Sequence, residues 1–237
     1  MKKGFIRIFK EWREIETFVL VWIILSIIFS FTFRNDWSVV LITGFVLGIN
    51  VISTKLAARK YGCDANLNLW AIRRYGLRKS HVLSKKQAVP TGVIFPLLFA
   101  LVSRGALVFS LVSTFNFGDT TRTGRLRPHF TEREYAFSLF LGLLPLFVLL
   151  PIFAAVGAKT ALFITGVYTL GQLMPLPGAT GMFIVFSSRT LYVFMLTLFF
   201  SILALLSVLN IIVILLLAIT FAVLVTIFYY YNFVSSG

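Results

Sequence analysis

The stretch TLYVFMLTLFFSILALLSVLNIIVILLLAITFAVLVTIFYYYNFVSSG runs from Thr190 to Gly237 without a single Asp, Glu, Lys, Arg or His. Crossing the hydrocarbon core of a bilayer takes about 20 consecutive apolar residues. This run exceeds that length and suits two crossings, divided near Asn210. No water-soluble core needs so long an uncharged tract, so the chain reads as an integral membrane protein. Whole-chain composition agrees: 59% of the 237 residues are hydrophobic and 13% are charged, with a mean hydropathy of +0.94. Soluble domains carry about 25% charged residues.

Outward from that tail, four further apolar segments read as crossings. Ala161 to Met174 ends at a Pro/Gly-rich break, Pro175 to Gly181, and Tyr135 to Val156 contains Pro145 and Pro151, which are expected to kink it. Trp37 to Ala58 and Thr17 to Phe33 are joined by the short turn Arg34, Asn35, Asp36. Glu11, Glu14 and Glu16 directly precede the first apolar run and no small-residue cleavage pattern follows it, so it reads as a retained helix. Residues 1–16 mix Lys2, Lys3, Arg7, Lys10 and Arg13 with Phe5, Ile6, Ile8, Phe9 and Trp12, as an amphipathic helix on the cytoplasmic face does.

Charge places the loops. The chain has 22 Lys+Arg against 8 Asp+Glu. Basic loops hold the cytoplasmic side and meet anionic lipid, and no nucleic-acid-binding pattern accompanies the charge. Both termini are therefore expected in the cytoplasm, with the protein in a bacterial or archaeal plasma membrane. Cys63 is the sole cysteine, which excludes an intrachain disulfide and a cysteine metal cluster.

Between Arg59 and Glu134 the chain alternates basic loops with less regular segments. Residues 66–72 (Asn, Leu, Asn, Leu, Trp, Ala, Ile) begin with a strand period. Residues 90–117 are apolar but broken by Pro90, Gly92, Pro96, Arg104 and Gly105. They read either as a crossing helix or as a re-entrant or interfacial hairpin. Arg104 would be a membrane-buried charge, which insertion scales price at about 2.5–3.5 kcal/mol in a lipid-exposed helix. The basic loop Thr121 to Arg133 that follows favours the hairpin. The expected fold is thus an all-α polytopic membrane protein, with about six transmembrane helices, a re-entrant or interfacial hairpin and a short β element. One membrane domain spans 1–237: a cytoplasmic segment (1–16), two helices (17–58), basic loops with the hairpin (59–134) and four helices (135–232).

Two motifs carry a family resemblance. Asn50 to Gly62 reads NVISTKLAARKYG, and Gln172 to Gly181 reads QLMPLPGATG. The first resembles the segment of the site-2 protease family of intramembrane metalloproteases in which H-E-x-x-H leads into small and basic residues ending in Tyr-Gly. The second resembles that family's N-x-x-P-x-P-x-x-D-G signature. The strand-like segment near Trp70 and the broken hairpin occur in the same order as the family's embedded β elements, and residues 133–145 resemble the start of the helix before the second motif. The resemblance covers roughly residues 38–185.

Carried over position by position, the family's zinc-binding histidines fall on Asn50 and Thr54, its general-base Glu on Val51 and its zinc-binding Asp on Thr180. All four differ from the family residues. Asn50, Thr54 and Thr180 are poor zinc ligands and Val51 cannot accept a proton. The two histidines, His81 and His129, lie in basic loops, and none of the eight carboxylates lies deep in a helix. No metal, no cofactor and no catalysis are expected.

The resemblance then implies a degenerate member that binds other integral membrane proteins as a subunit, assembly factor or chaperone. Its guest-binding cleft would include Asn50, Asn68, Trp70, Gln172 and Thr180, with extended peptide joining the edge of residues 66–72 or of the hairpin. Other readings stand beside it. Asn50, Ser53 and Thr54 are also the small and amide residues that glue membrane helices together. Arg104 and the hairpin fit a transport or channel subunit, and the Phe-rich tail fits a structural subunit of a larger membrane complex.

Overall fold

In the computed structural model, described residues are 12–33, 36–71, 90–119, 131–206 and 210–234. Most of the expected amphipathic segment and the centres of the basic loops, with both histidines, lie outside them. The element order is α1 (Trp12–Phe33), α2 (Ser38–Tyr61), β1 (Cys63–Leu69), α3 (Thr91–Val102), β2 (Ser113–Asp119), α4 (Glu132–Val156), α5 (Lys159–Leu173), α6 (Thr180–Ser187), α7 (Arg189–Leu205) and α8 (Ile211–Tyr229), closed by a π-helical turn (Tyr230–Val234).

Four helices are long and apolar enough to cross a membrane: Arg13–Phe33, Ser38–Tyr61, Glu132–Val156 and Ile211–Phe233. Local chemistry sets several of their ends. Gly62 takes the left-handed conformation (φ 79°) that closes α2 and turns the chain directly into β1. Thr131 and Glu134 form a reciprocal capping box at the start of α4, and Gly157 (φ 75°) ends it. Pro145 and Pro151 both sit inside that helix.

α5 and α7 are shorter, 15 and 17 residues. Between α5 and α6 the chain unwinds over the Pro-rich break and resumes for eight residues before α7. α3 has 12 residues and at 1.5 Å rise per residue is about 18 Å long, well short of the ~30 Å hydrocarbon thickness.

The strand read from alternation at 66–72 begins and ends three residues earlier, at Cys63–Leu69. Its partner β2 pairs with it antiparallel, with Cys63 opposite Asp119, Leu67 opposite Phe115 and Leu69 opposite Ser113. One apolar core, running from Val21 and Leu47 through Leu143 and Tyr168 to Phe199 and Ala222, joins the helices to the sheet. α2 and α4 approach so closely that a Cβ on Gly142 would lie 2.0 Å from Thr54 Oγ1.

Arg104 belongs to no helix. It lies past the end of α3, in a turn, with φ 52°, and its side chain is exposed on the protein surface. The turn docks against the last residues of α1: Thr32 Oγ1 donates to the Gly105 carbonyl at 2.9 Å, and a Cβ on Gly105 (φ 83°) would sit 2.4 Å from the Phe31 carbonyl oxygen. Pro96, inside α3, does not end that helix; the reversal at Arg104 and Gly105 does.

Candidate functional site

Asn50, Thr54, Gln172 and Thr180 come together around a residue that the motifs do not contain, Tyr168. Asn50 Nδ2 donates to the Tyr168 hydroxyl at 2.9 Å. Thr54 Oγ1 lies 2.8 Å from the Asn50 carbonyl oxygen and 3.2 Å from Asn50 Oδ1. One turn along α5 from Tyr168, Gln172 Oε1 accepts from Thr180 Oγ1 at 2.8 Å, and Gln172 Nε2 reaches the Ser113 carbonyl at 3.4 Å. The Tyr168 hydroxyl also faces the side chains of Ser113 and Gln172. The cluster therefore links α2, α5, α6 and β2, and each of these six side chains is at most 1% exposed.

The family-equivalent positions of both histidines and of the aspartate thus lie in one buried cluster, with Val51 turned into the apolar core beside it at 0% exposure. The donor set is amide, hydroxyl and phenol, neutral groups already engaged with one another. Zinc takes thiolate, imidazole or carboxylate, so these residues do not fit the metal that the resemblance implies. Among the described residues no group of three His, Cys, Asp or Glu could hold a metal ion. Two buried hydroxyls beside the network, Ser113 Oγ and Thr165 Oγ1, make no hydrogen bond among the described residues; Ser113 Oγ lies next to the Tyr168 hydroxyl without reaching bonding geometry.

Asn68 and Trp70 sit apart from this cluster. Asn68 is half-buried on β1. Trp70 is 3% exposed, and its indole N–H donates to the Pro177 carbonyl at 2.9 Å, while Thr114 Oγ1 donates to the Gly178 carbonyl at the same distance. Trp70 and Thr114 therefore brace the unwound segment between α5 and α6. Gly181 fits there because a Cβ would meet the Leu173 carbonyl oxygen at 2.2 Å. Of the five residues expected to line one cleft, Asn50, Gln172 and Thr180 join the closed polar knot, Trp70 braces the loop from beside it and Asn68 stays on β1.

The outer edges of the sheet are engaged as well. Trp70 N donates to Val112 O, which continues the ladder and fixes its parity. Residues 64, 66 and 68 then bond across to β2, whereas the N–H and C=O of Leu67, Phe115 and Ser113 point outward. Leu67 N reaches Glu14 Oε1 at 3.4 Å, Phe115 O accepts from the Tyr135 hydroxyl at 3.1 Å, and Ser113 O faces Gln172. Glu14 is in turn ion-paired with Lys55, the two side chains being 6% and 3% exposed. A second contact, Arg59 Nε to Asp64 Oδ1 at 3.9 Å, lies close by in sequence and is more exposed.

Sequence reasoning missed Tyr168 and the Glu14–Lys55 pair. Tyr168 stands four residues before Gln172 and shares its helix face, with Thr165 and Thr169 alongside; that polar stripe inside an apolar helix was a readable signal. The ion pair joins positions far apart in the chain, and nothing local announces it. Elsewhere, a groove of about 600 Å³ opens between α7 and α8, lined by residues including Phe200, Ala204, Leu217 and Leu224. Its hydroxyls on Thr197, Ser201 and Thr220 are bonded to carbonyls of their own helices.

No family model, no curated protein and no solved structure matches this chain.

Proposed function

We propose that this is a non-catalytic, site-2 protease-like membrane protein that holds segments of other membrane proteins, as a subunit, assembly factor or chaperone. The observation that carries this is the Thr54–Asn50–Tyr168 link and its neighbour Gln172–Thr180. The positions that would hold zinc in the family are tied to other polar side chains. A guest would not meet Asn50 or Thr180, both 1% exposed, so the cleft is moved to the outer edge of β1, where Asn66 is exposed and Asn68 half-buried.

In this reading α5 and α7 also cross, for six crossings, with α5, its unwound segment and α6 together making one. α3 and its extended return form a re-entrant hairpin. The termini and the basic loops face the cytoplasm and anionic lipid of the plasma membrane.

Photo-crosslinking from position 66 tests the guest-holding role. In native membranes the expected result is adducts with particular membrane proteins, absent when the crosslinker is moved to exposed Leu41 on α2. Adducts with lipid alone at both positions would count against it. A structural-subunit reading is favoured by α8, only 17% of whose apolar window is buried and which exposes Ile212, Leu216, Leu224 and Phe228. Adducts from α8 but not from position 66 would select that reading.

A further inference from the structure

The two outer edges of the sheet are covered in different ways. On β2, the carbonyls of Ser113 and Phe115 are met by Gln172 and Tyr135, which project from α5 and α4. Those helices run through the middle of the bundle, and Gln172 is itself tied to Thr180. On β1, the outward N–H of Leu67 is met by Glu14, in the first turn of α1. Among the described residues, the cover of that amide comes from one end of one helix.

Glu14 is an unusual residue for simple packing at this place. Its carboxylate is buried, and burying it requires the buried ammonium of Lys55 on α2. Withdrawing such a pair from water is costly, and apolar residues of similar volume often serve stability as well or better. What an apolar residue cannot do is accept a hydrogen bond from a strand-edge amide. A carboxylate there occupies the acceptor position that the carbonyl of an added strand would take.

We propose that the first turn of α1 is a latch over the outer edge of β1, in which Glu14, held by Lys55, occupies the Leu67 amide until an incoming extended segment displaces it. This rests on the guest-holding reading above, and it adds the element that must move. Glu14 leaves Leu67 while α2 and its Lys55 stay in place, so opening uncovers the Leu67 amide with the Lys55 ammonium beside it. The segment that fits is an extended apolar peptide with a carbonyl opposite Leu67 and a carboxylate within reach of Lys55.

The test uses the full chain in lipid nanodiscs and two readouts. The first is hydrogen exchange at the Leu67 amide in wild type, Glu14→Ala and the double variant Glu14→Met/Lys55→Met, whose apolar pair keeps the fold should the single change fail to do so. Both variants are expected to speed exchange about tenfold. The second is labelling of residues 63–69 by a valine-rich heptapeptide with a C-terminal carboxylate and a photoreactive group. Glu14→Ala is expected to raise labelling several-fold, and amidating the peptide's C-terminus to reduce that gain. Unchanged exchange at Leu67 in both variants, or equal labelling of wild type and Glu14→Ala, overturns the latch. Faster exchange with no labelling of any protein keeps Glu14 as the cover of the edge and removes strand addition, so the two ideas fail separately.

Discussion

The amide of Asn50 and the phenol of Tyr168 meet at 2.9 Å although 118 positions separate them in the chain. This contact joins α2 to α5 in the buried interior, and it makes the Tyr168 oxygen the acceptor for one of the two Asn50 amide hydrogens. A buried donor deprived of its partner loses far more than the modest net gain of forming the bond.

Replacing Tyr168 with Phe keeps the ring and removes the acceptor. Stability is expected to fall by about 1–3 kcal/mol, the cost of leaving a buried amide unpaired. Equilibrium unfolding in mixed micelles measures it. Combining Tyr168→Phe with Asn50→Ala should cost less than the sum of the two single changes, by more than about 0.5 kcal/mol, because the residues are in direct contact.

Gly142 is where α4 makes room for Thr54. Gly142→Ala places a methyl group on the Thr54 hydroxyl, at 2.0 Å before any relaxation. Overpacking of this kind costs about 1–3 kcal/mol. Thr54→Ala in the same chain removes the obstructing oxygen and should recover part of the loss. Thermal unfolding of the two single variants and the double variant decides it; no recovery would mean that the strain lies in the helix backbones.

Thr180→Asp installs the residue type that the resembling signature of the site-2 protease family carries at this position. Here the carboxylate would be buried opposite Gln172 with no cation among its described partners. An unpaired buried charge is strongly unfavourable, so the variant should unfold earlier than wild type. Added zinc should not restore it, since Asn50 and Thr54 still offer only amide and hydroxyl groups. Unfolding midpoints with and without zinc, and bound metal by elemental analysis, provide the check.

Much of the scaffold was legible because it follows local rules. The uncharged tail divides where expected, with Asn210 directly before α8. The break opening at Pro175 follows α5, and alternation after Asn66 exposed β1. β2 went unread although Thr114–Phe117 (TFNF) alternates as Asn66–Leu69 does, because it continues the apolar run 90–117 without a break; it is set apart as a strand by pairing with β1, more than 40 residues earlier. The two motifs located Asn50, Gln172 and Thr180, but their spacing along the chain does not reveal that Tyr168 stands between them. The Glu14–Lys55 pair, like the Arg104 turn against Phe31, belongs to contacts between distant segments, which packing decides and local pattern does not record.

A two-stranded ribbon with bare margins would be hazardous wherever water is scarce, since any neighbouring chain could zip onto it. With Glu14 on the Leu67 amide of one selvedge and Tyr135 and Gln172 on the Phe115 and Ser113 carbonyls of the other, a second copy would find those positions already taken. At rest, the ribbon is hemmed.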